Sequence, residues 1–313
     1  MRILVTGGAG FIGSHLVDKL IEEGHRVAVI DNFSTGRREN IHEKARFYEL
    51  DIRDPNAVSV FEKEKPEAVF HLAAQIDVRK SQDDPDEDTS INALGAVNIL
   101  KNSLRAGVKK FIFASSGGAI YGETRVLPTP ETHPARPLSV YGKNKLFFER
   151  MLEFHRRASD LDYVALRFAN VYGPRQNSGS EAGVVAIFID TLLSGNAPTI
   201  YGDGKQTRDF LYVDDAVKSF LTALEAKLPS RIVPVFNVGH GKEISVSEVL
   251  STIGQQLSRG QKPRYGSARK GEILRSAIAN DKFKRFFGIE PRYDLENGIA
   301  KTIQWFRDKG KYR

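Results

Sequence analysis

Residues 2–31 read RILVTGGAGFIGSHLVDKLIEEGHRVAVID, and this stretch decides the fold. The pattern predicts a buried strand over residues 2–6, a tight glycine turn, a helix over about residues 11–23 and a second strand over residues 26–30. Glycines bend the chain sharply, admit a pyrophosphate to the backbone and let the helix pack on the sheet. This order of elements therefore predicts a dinucleotide-binding unit, with the N-terminus of its helix facing the phosphates.

The glycine turn and the acid that ends the second strand together predict which dinucleotide binds. The turn satisfies G-x-x-G-x-x-G, and its expected cofactor contacts are Gly7, Gly10, Phe11, Ile12 and Gly13. Asp31 follows 18 residues after Gly13, where a carboxylate accepts hydrogen bonds from the adenosine ribose hydroxyls and favours NAD over NADP. Arg37 and Arg38 are the one argument for NADP, and we interpret them as surface charge because Asp31 would repel a 2′-phosphate.

Length, composition and charge narrow the class of protein. At 313 residues the chain is long for one core, so we expect two unequal lobes. No run approaches the roughly 18 apolar residues of a membrane span and the N-terminus lacks a signal pattern, so we expect a cytoplasmic protein with no membrane partner. The absence of cysteine excludes disulfides and thiolate chemistry. The net charge of +7 is thinly spread, which argues against nucleic acid and for an anionic small ligand.

Strands and helices alternate regularly as far as about residue 174, and the alternation lapses after it. We therefore predict an α/β fold: a Rossmann-type doubly wound parallel sheet with a smaller, mostly C-terminal α/β substrate-binding lobe. Residues 1–174 with about 209–239 are expected to form the NAD-binding domain. Residues of about 175–208 with 240–313 are expected to form the substrate-binding lobe.

Further cofactor contacts are expected where the parallel strands end, because open α/β sheets bind ligands at that edge. The expected residues follow the second, third, fourth and fifth strands: Asn32, Ser34, Thr35 and Gly36; Asp51 and Ile52; Leu72, Ala73, Ala74 and Gln75; and Ser115. Asp51 either hydrogen-bonds the adenine edge or caps the next helix. Asn92, near the start of one helix predicted over about residues 88–106, either holds a backbone near the cofactor or is a buried polar side chain. His71, among apolar neighbours, is expected in the core.

Tyr141 and Lys145 lie one turn apart on a helix predicted to begin near Ser139. A tyrosine has an ordinary pKa of about 10 and is a poor base at neutral pH. A nearby ammonium and the positive nicotinamide of NAD favour the phenolate and are expected to lower that pKa. Y-x-x-x-K is common by chance, but here it follows a glycine turn and a strand that ends in serines. We therefore predict Tyr141 and Lys145 as catalytic residues that also contact the cofactor.

The chain resembles the extended short-chain dehydrogenases/reductases, and among them the UDP-galactose (UDP-glucose) 4-epimerases. The resemblance covers nearly the whole chain, and the segments that carry it are VTGGAGFIGSHLVDKL (5–20), DNFSTG (31–36), HLAAQ (71–75), SSGGAIYGE (115–123), SVYGKNK (139–145), LRFANVYGPRQ (166–176), IYGDGKQTRDFLYVDDA (200–216) and ARKGE (268–272). The resemblance implies NAD as cofactor, no metal, a UDP-sugar substrate and a homodimer. It also implies a redox-neutral reaction, in which C4 of a UDP-hexose is oxidised to a 4-keto sugar and reduced again on its opposite face.

The resemblance also implies residue roles. Tyr141 would take the proton of the sugar 4-hydroxyl, Lys145 would hold the nicotinamide ribose and Ser116 would hydrogen-bond the 4-oxygen. Counting back from Tyr121 places Gly117 where relatives have the catalytic Ser or Thr, so Ser116 takes the role only if the loop is one residue longer, and Ser115 is the fallback. The implied substrate contacts are Arg79, Ser116, Tyr141, Asn170, Val184, Arg208, Arg269 and Glu272. The small Ser276 would leave room for an N-acetylated sugar.

Three other functions compete with 4-epimerisation. A nucleotide-sugar 4,6-dehydratase needs an acid and a base near the sugar C6, where this chain has Gly117 and Gly118. A UDP-uronate 4-epimerase or decarboxylase needs a cation for the C6 carboxylate, and Arg79 is available, so this alternative stays open. A non-catalytic NAD-binding protein would place no constraint on Tyr141 and Lys145, and their presence in register argues against it.

Overall fold

The computed structural model of the chain describes residues 1–179, 183–229, 231–258, 261–269 and 272–309. Its strands are β1 (Arg2–Thr6), β2 (Arg26–Asp31), β3 (Arg46–Glu49), β4 (Ala68–His71), β5 (Lys110–Ser116), β6 (Asp162–Phe168), β7 (Asn170–Tyr172), β8 (Thr199–Tyr201), β9 (Thr207–Arg208), β10 (Phe210–Tyr212), β11 (Val235–Val238), β12 (Ile244–Ser245) and β13 (Arg264–Gly266). Its α-helices are α1 (Phe11–Glu22), α2 (Ala57–Glu64), α3 (Lys80–Asp83), α4 (Pro85–Thr89), α5 (Ala96–Arg105), α6 (Gly117–Ile120), α7 (Val140–Ala158), α8 (Val184–Leu193), α9 (Val213–Glu225), α10 (Val246–Leu257), α11 (Asp281–Phe287) and α12 (Leu295–Asp308).

The main sheet of the described residues has seven strands in the order β11-β6-β5-β4-β1-β2-β3. The pairs β1 with β2, β1 with β4, β2 with β3 and β4 with β5 are parallel. The chain builds outward from β1 to β3 and then returns to place β4 on the other side of β1. Ligands of such sheets bind where the strand order reverses, at the carboxyl ends of the strands. This topology confirms the predicted Rossmann-type doubly wound fold.

The central strands are buried along their length, as a parallel sheet covered on both faces requires. All four residues of β4 are buried, and so are the first four of β5. Helices α2, α5 and α7 contribute Phe61, Ile99 and Phe148 to one apolar cluster with Val69 and Phe111 of the sheet. Each such side chain contributes about 1.5–3 kcal/mol when fully buried. A packed apolar core therefore supports the strands whose carboxyl ends would hold a cofactor.

The helix predicted over about residues 88–106 is not one regular helix, so that prediction is wrong in detail. It consists of α4, a π-helix over Ser90–Gly95 and α5. Single π-helical turns within α-helices are rare and often occur at functional sites. The turn carries Asn92, whose side-chain oxygen accepts from the Gln75 amide at 3.0 Å and whose amide donates to the Gln75 carbonyl at 2.8 Å.

The chain divides into two compact units. The first consists of Met1–Ile120, Ala135–Arg167 and Val217–Phe236, and the second of Tyr121–Pro134, Phe168–Ala216 and Asn237–Arg313. The second unit contains short paired strands, β7 with β10, β8 with β13 and β9 with β12, together with helices such as α8, α10 and α12. A capping box begins α10, because the Ser245 and Glu248 side chains each bond the other's backbone amide. No helix in the described ranges is both long and apolar enough to cross a bilayer.

Candidate active site

The turn between β1 and α1 has a backbone that only glycine fits. Gly7 has φ of +74°, and a Cβ there would lie 2.7 Å from the Ala73 amide nitrogen. A Cβ at Gly13 would overlap the Gly7 carbonyl oxygen. Helix α1 then begins after Gly10, and no side chain caps its first N–H groups. Those groups are available to an anion, so the turn fits the pyrophosphate of a dinucleotide.

The structure places Asp31 beside this turn at the end of β2. One carboxylate oxygen accepts from the Ala9 amide at 3.0 Å and the other from the Phe33 amide at 2.9 Å. Burial raises the pKa of Asp31, and these two bonds oppose the rise. A Cβ at Gly36 would lie 2.8 Å from the carboxylate, so the loop over residues 32–36 packs closely on it. The position predicted for a ribose-binding acid is therefore occupied by a fixed carboxylate.

Arg37 and Arg38, which follow this loop, form ion pairs with glutamates. Arg37 lies 3.4 Å from Glu39, and Arg38 lies 2.6 Å from Glu49 with its guanidinium 4.5 Å from the centre of the Phe33 ring. Both pairs are exposed at the surface, as the interpretation of these arginines as surface charge requires. The carboxylate at the end of β2 can therefore accept from the ribose hydroxyls of NAD, and neither arginine is free of a partner to bind a 2′-phosphate.

Asp51 does not cap the following helix, so that alternative is wrong. Helix α2 begins after Asn56, and the Asp51 carboxylate instead binds Asn32 at 2.8 Å and the guanidinium of Arg53 at 2.9 Å. Its hydrogen bonds to Arg53 hold the pKa of Asp51 below its usual value. Ile52 is 5 % exposed and packs in the core cluster, so only its backbone faces outward.

The end of β4 is organised by buried polar groups. The Ala73 amide donates to the Thr6 hydroxyl at 3.3 Å, next to Gly7, and Leu72 and Ala74 flank it half-buried. Asn92, 4 % exposed, holds the backbone of Gln75 as described above. Both alternatives for Asn92 therefore hold, because it is buried and it fixes a backbone at the cofactor edge. His71 is a core residue: burial lowers its pKa to about 3, and Thr6 bonds its Nδ1 at 2.7 Å.

The beginning of α7 fixes the tyrosine. The Ser139 hydroxyl caps the helix by accepting from the Gly142 amide at 3.0 Å. A Cβ at Gly142 would lie 2.6 Å from the Ala119 carbonyl oxygen, so α7 approaches α6 as closely as glycine allows. This contact brings Tyr141 to the end of β5, where Ser116 is close enough to the phenol to lower its pKa.

Lys145 lies one turn further along α7 and is 4 % exposed. Its ammonium donates to the Ala114 carbonyl at 3.1 Å. The same nitrogen is 4.9 Å from the centre of the Phe113 ring and 5.7 Å from the centre of the Tyr141 ring. The structure therefore brings the predicted tyrosine, lysine and serine together at the end of β5.

Burial dominates the acid–base properties of this group. It raises the pKa of Tyr141 to about 12, although Ser116 lowers it, and the charge of Asp88 raises it further. Burial lowers the pKa of Lys145 to about 8, against the charges of Asp88 and Glu149. In the chain without NAD the pKa of Tyr141 is thus raised, because desolvation of the phenolate outweighs the favourable contacts. The expected lowering applies to the chain with the positive nicotinamide beside the phenol, and it stays a prediction.

The two neighbouring serines have different partners. Ser115, 5 % exposed, donates to Glu149 at 2.6 Å, and Glu149 forms a bidentate ion pair with Arg167 at 2.6 and 2.9 Å. Ser116 instead acts on the Tyr141 phenol and lowers its pKa. Of the two serines, Ser116 is therefore the better candidate for the active-site hydroxyl. The sequence did not predict the Glu149–Arg167 ion pair. The one available signal is that Glu149 lies four residues after Lys145, on the same face of α7.

The implied substrate residues of the second unit include two arginines, Arg208 and Arg269, each held by a neighbouring side chain. Arg208 contacts Glu272 at 2.9 Å and donates to the Thr207 carbonyl, and burial lowers its pKa. The guanidinium of Arg269 lies 4.2 Å from the centre of the Tyr201 ring, a contact that no sequence signal predicts. Asn170 is exposed in β7, and Val184 is the first residue of α8. Lys270 and Gly271 of the quoted segment lie outside the described residues.

Arg79, in the first unit, is paired. It contacts Asp77 at 3.2 Å, and its side chain is 52 % exposed. Hydrogen bonds from the backbone and side chain of Arg79 lower the pKa of Asp77, whereas burial raises it, and the net shift is downward. Among the described residues, no cluster of side chains suits a metal ion.

A parallel sheet with a glycine turn, a fixed carboxylate at the end of its second strand and a neighbouring Tyr–Lys–Ser group is typical of the short-chain dehydrogenase/reductase type of nucleotide-binding enzyme. The chain belongs to the NAD dependent epimerase/dehydratase family, whose sequence model matches residues 3–239. This membership confirms the predicted superfamily and NAD as cofactor.

Similar proteins extend over the whole chain. The UDP-glucose 4-epimerase of Mycolicibacterium smegmatis is 42 % identical over 99 % of this chain and 100 % of its own. The crystal structure of UDP-glucose 4-epimerase from Thermotoga maritima with UDP-glucose is 46 % identical, covers 99 % of this chain and 100 % of its own, and has a TM-score of 0.96. That of Thermus thermophilus UDP-glucose 4-epimerase in complex with NAD is 39 % identical, covers 98 % and 99 %, and has a TM-score of 0.93.

Proposed function

We propose that the chain is an NAD-dependent 4-epimerase of UDP-hexoses that interconverts UDP-glucose and UDP-galactose. The observation that carries this proposal is the placement of Tyr141 and Lys145 at the end of β5, where the Lys145 ammonium lies 5.7 Å from the centre of the Tyr141 ring and donates to the Ala114 carbonyl. The similar proteins that are named UDP-glucose 4-epimerases support the choice of substrate. Residues 1–174 with about 209–239 would hold NAD, and the rest would hold the nucleotide sugar.

The mechanism needs one group that takes and returns a proton at the sugar 4-oxygen. NAD, when bound, supplies a reversible acceptor for the hydride of C4 and a positive charge on its nicotinamide ring. Tyr141 takes the proton of the 4-hydroxyl as C4 is oxidised, and returns it after the 4-keto sugar has turned over. Ser116 bonds the same oxygen and also favours the phenolate. The net reaction inverts C4 without net oxidation.

Lys145 makes the tyrosine usable as a base. The pKa of Tyr141 is about 12 in the chain alone, so only a small fraction is phenolate at neutral pH. Positive charge close to the phenol stabilises the phenolate, and the Lys145 ammonium lies 5.7 Å from the centre of the Tyr141 ring. Lys145 must therefore stay protonated during turnover. Its ammonium also has donors left for the ribose hydroxyls of the cofactor, because it makes one hydrogen bond to the backbone.

The second unit supplies the groups for the nucleotide. Arg208 and Arg269 would bind the diphosphate, since a guanidinium offers paired donors to phosphate oxygens, and Asn170 would add an amide. Glu272 would accept from the uridine ribose hydroxyls while it holds Arg208. Val184 would pack against the nucleotide.

The rival reactions fit these side chains less well. Gly117 and Gly118 begin α6, next to Ser116, and neither can move the proton that a 4,6-dehydratase must transfer at C6. A sugar carboxylate at Arg79 would have to compete with Asp77 for the guanidinium. A neutral hexose needs neither group.

We also propose that the protein acts in the cytoplasm, in galactose metabolism, as a homodimer. Leu94, Phe147 and Phe154 are 64 %, 43 % and 64 % exposed on the π-helix and α7, and large exposed apolar side chains are typical of an interface. Sedimentation is expected to give twice the chain mass of 34.9 kDa. A monomer at micromolar concentration would contradict the dimer.

The function is tested by incubating the purified protein with UDP-galactose without added NAD and separating the sugars by chromatography. Formation of UDP-glucose is expected, and no interconversion by protein that carries NAD would overturn the proposal. Ser116→Ala and Ser115→Ala form a matched pair. We expect the first to lower kcat by about 10- to 100-fold, and the second mainly to lower the unfolding temperature, because Ser115 bonds Glu149.

A further inference from the structure

Asp88 is a buried carboxylate to which the mechanism above gives no role. It lies in α4 and is 1 % exposed. Its carboxylate accepts from the Gln75 side-chain amide at 2.9 Å, from Asn92 at 2.8 Å and from Asn144 at 2.9 Å. All three donors are uncharged amides, so they satisfy the oxygens and leave the negative charge in place. A buried charge without a bonded cation costs stability and calls for an explanation.

The three amides belong to elements that surround the catalytic group. Gln75 follows β4, Asn92 lies in the π-helix, and Asn144 directly precedes Lys145 in α7. The charge of Asp88 acts on both Tyr141 and Lys145, in each case as a negative neighbour that favours the protonated form. Asp88 is therefore joined through the Asn144 hydrogen bond to the helix that carries Tyr141 and Lys145, and its charge acts on both residues.

The other charged groups that face Lys145 leave Asp88 as its counter-charge. Glu149, one turn along α7, is neutralised by its bidentate pair with Arg167. His71, from β4, is uncharged at neutral pH because burial holds its pKa at about 3. Tyr141 is neutral in the resting chain. The carboxylate of Asp88 remains as the negative group that no bonded cation offsets.

We propose that Asp88 is a positioning residue of the 4-epimerase site, whose carboxylate keeps Lys145 in its ammonium form and clamps Gln75, Asn92 and Asn144 around it. This role rests on the proposed function. Removal of the negative charge makes both neighbouring acids stronger. Lys145, with a pKa of about 8, would then lose its proton closer to neutral pH and could no longer stabilise the phenolate. Tyr141 would also ionise at lower pH.

The pKa values of Tyr141 and Lys145 are both expected to fall when the charge of Asp88 is removed. The test therefore follows both limbs of the pH profile. The two limbs of the kcat profile report the macroscopic ionisations of the coupled tyrosine–lysine pair. In Asp88→Asn both limbs are expected to move to lower pH, by about one unit for a buried neighbouring charge. A merely structural role would lower the plateau and leave both limbs where they are.

A charge swap separates charge from fold. In Asp88→Asn the introduced oxygen can still accept from Gln75 and Asn92, whereas the introduced amide faces that of Asn144. In the double variant Asp88→Asn/Asn144→Asp this hydrogen bond is reversed, the Thr89 hydroxyl can donate to the new carboxylate, and the negative charge stays within the cluster. We expect the double variant to move both limbs back toward their wild-type pH.

The control is Asp84→Ala, which removes the cap of the same helix, where Asp84 accepts from the Glu87 amide at 3.0 Å. It should lower the unfolding temperature without moving either limb. The pKa of Lys145 is also followed by NMR of lysine-labelled NAD-bound protein, with the signal assigned by its loss in Lys145→Met. This titration needs no substrate, so it tests Asp88 even if the proposed reaction fails. A Lys145 pKa lowered in Asp88→Asn and restored in the swap supports the role, and one that is equal in all three proteins overturns it.

Discussion

Gly142→Ala tests whether the close packing at the start of α7 determines the position of Tyr141 in the active site. Alanine in place of glycine inside a helix usually stabilises by up to about 1 kcal/mol. Here the new Cβ would lie 2.6 Å from the Ala119 carbonyl oxygen and 3.0 Å from the Pro137 Cβ, so α7 would have to move by about 0.8 Å to reach the ordinary contact of 3.4 Å. Such overpacking costs about 1–3 kcal/mol and offsets the gain in helix propensity.

The movement also displaces Tyr141, the preceding residue, from Ser116. Misplacement of a catalytic group by about 1 Å can lower the rate by about 100-fold. We expect Gly142→Ala to lower kcat by about 10- to 100-fold, to lower the unfolding temperature by a few degrees and to keep its NAD content. The assays are UDP-galactose turnover, thermal unfolding and absorbance of released NAD. The matched control is Gly179→Ala, where a Cβ meets nothing closer than 3.5 Å and no change is expected. Wild-type kcat with a raised unfolding temperature would refute the reasoning.

Two further predictions concern the second unit. Burial raises the pKa of Asp209 to about 6, against hydrogen bonds from the backbone of His240, Gly241 and Ile278. The folded chain therefore holds this proton more tightly than the unfolded chain, so about 3 kcal/mol of stability present below pH 4 is lost as pH rises through 6. Asp209→Asn should flatten this slope in urea unfolding between pH 4 and 7, and an unchanged slope would count against it. Ser276→Tyr should lower kcat/KM for UDP-N-acetylglucosamine at least tenfold more than for UDP-glucose, because the ring fills the space for the acetamido group; equal effects on the two sugars would exclude that role for Ser276.

The sequence predicts the features whose residue types have few physical alternatives. The φ of +74° at Gly7 and the overlap that a Cβ would make at Gly13 permit only glycine, so the sequence alone predicts this turn. The acid at the end of β2 is predicted by its spacing from the turn. The sequence also predicts the capping box of α10, because Ser245 and Glu248 have the required residue types and spacing. The pairing of Tyr141 with Lys145 follows from helical periodicity.

Other features depend on contacts between distant segments, which spacing does not reveal. Asn92 lies in a π-helix and bonds the backbone of Gln75, whereas a helical pattern alone predicts a regular helix. The cluster around Asp88 joins residues 75, 92 and 144, and no local motif connects them. The raised pKa of Tyr141 in the chain without NAD is also not predictable from the sequence, because the cost of burying the phenolate depends on packing.

The most direct test of the account is the rate at which Tyr141→Phe interconverts UDP-galactose and UDP-glucose. The substitution keeps the ring and removes the hydroxyl that carries the proton. A general base contributes about 100- to 10 000-fold, so the account predicts a kcat lowered by at least about 100-fold in protein that still carries NAD and unfolds at the wild-type temperature. An undiminished rate in NAD-bound Tyr141→Phe would contradict it.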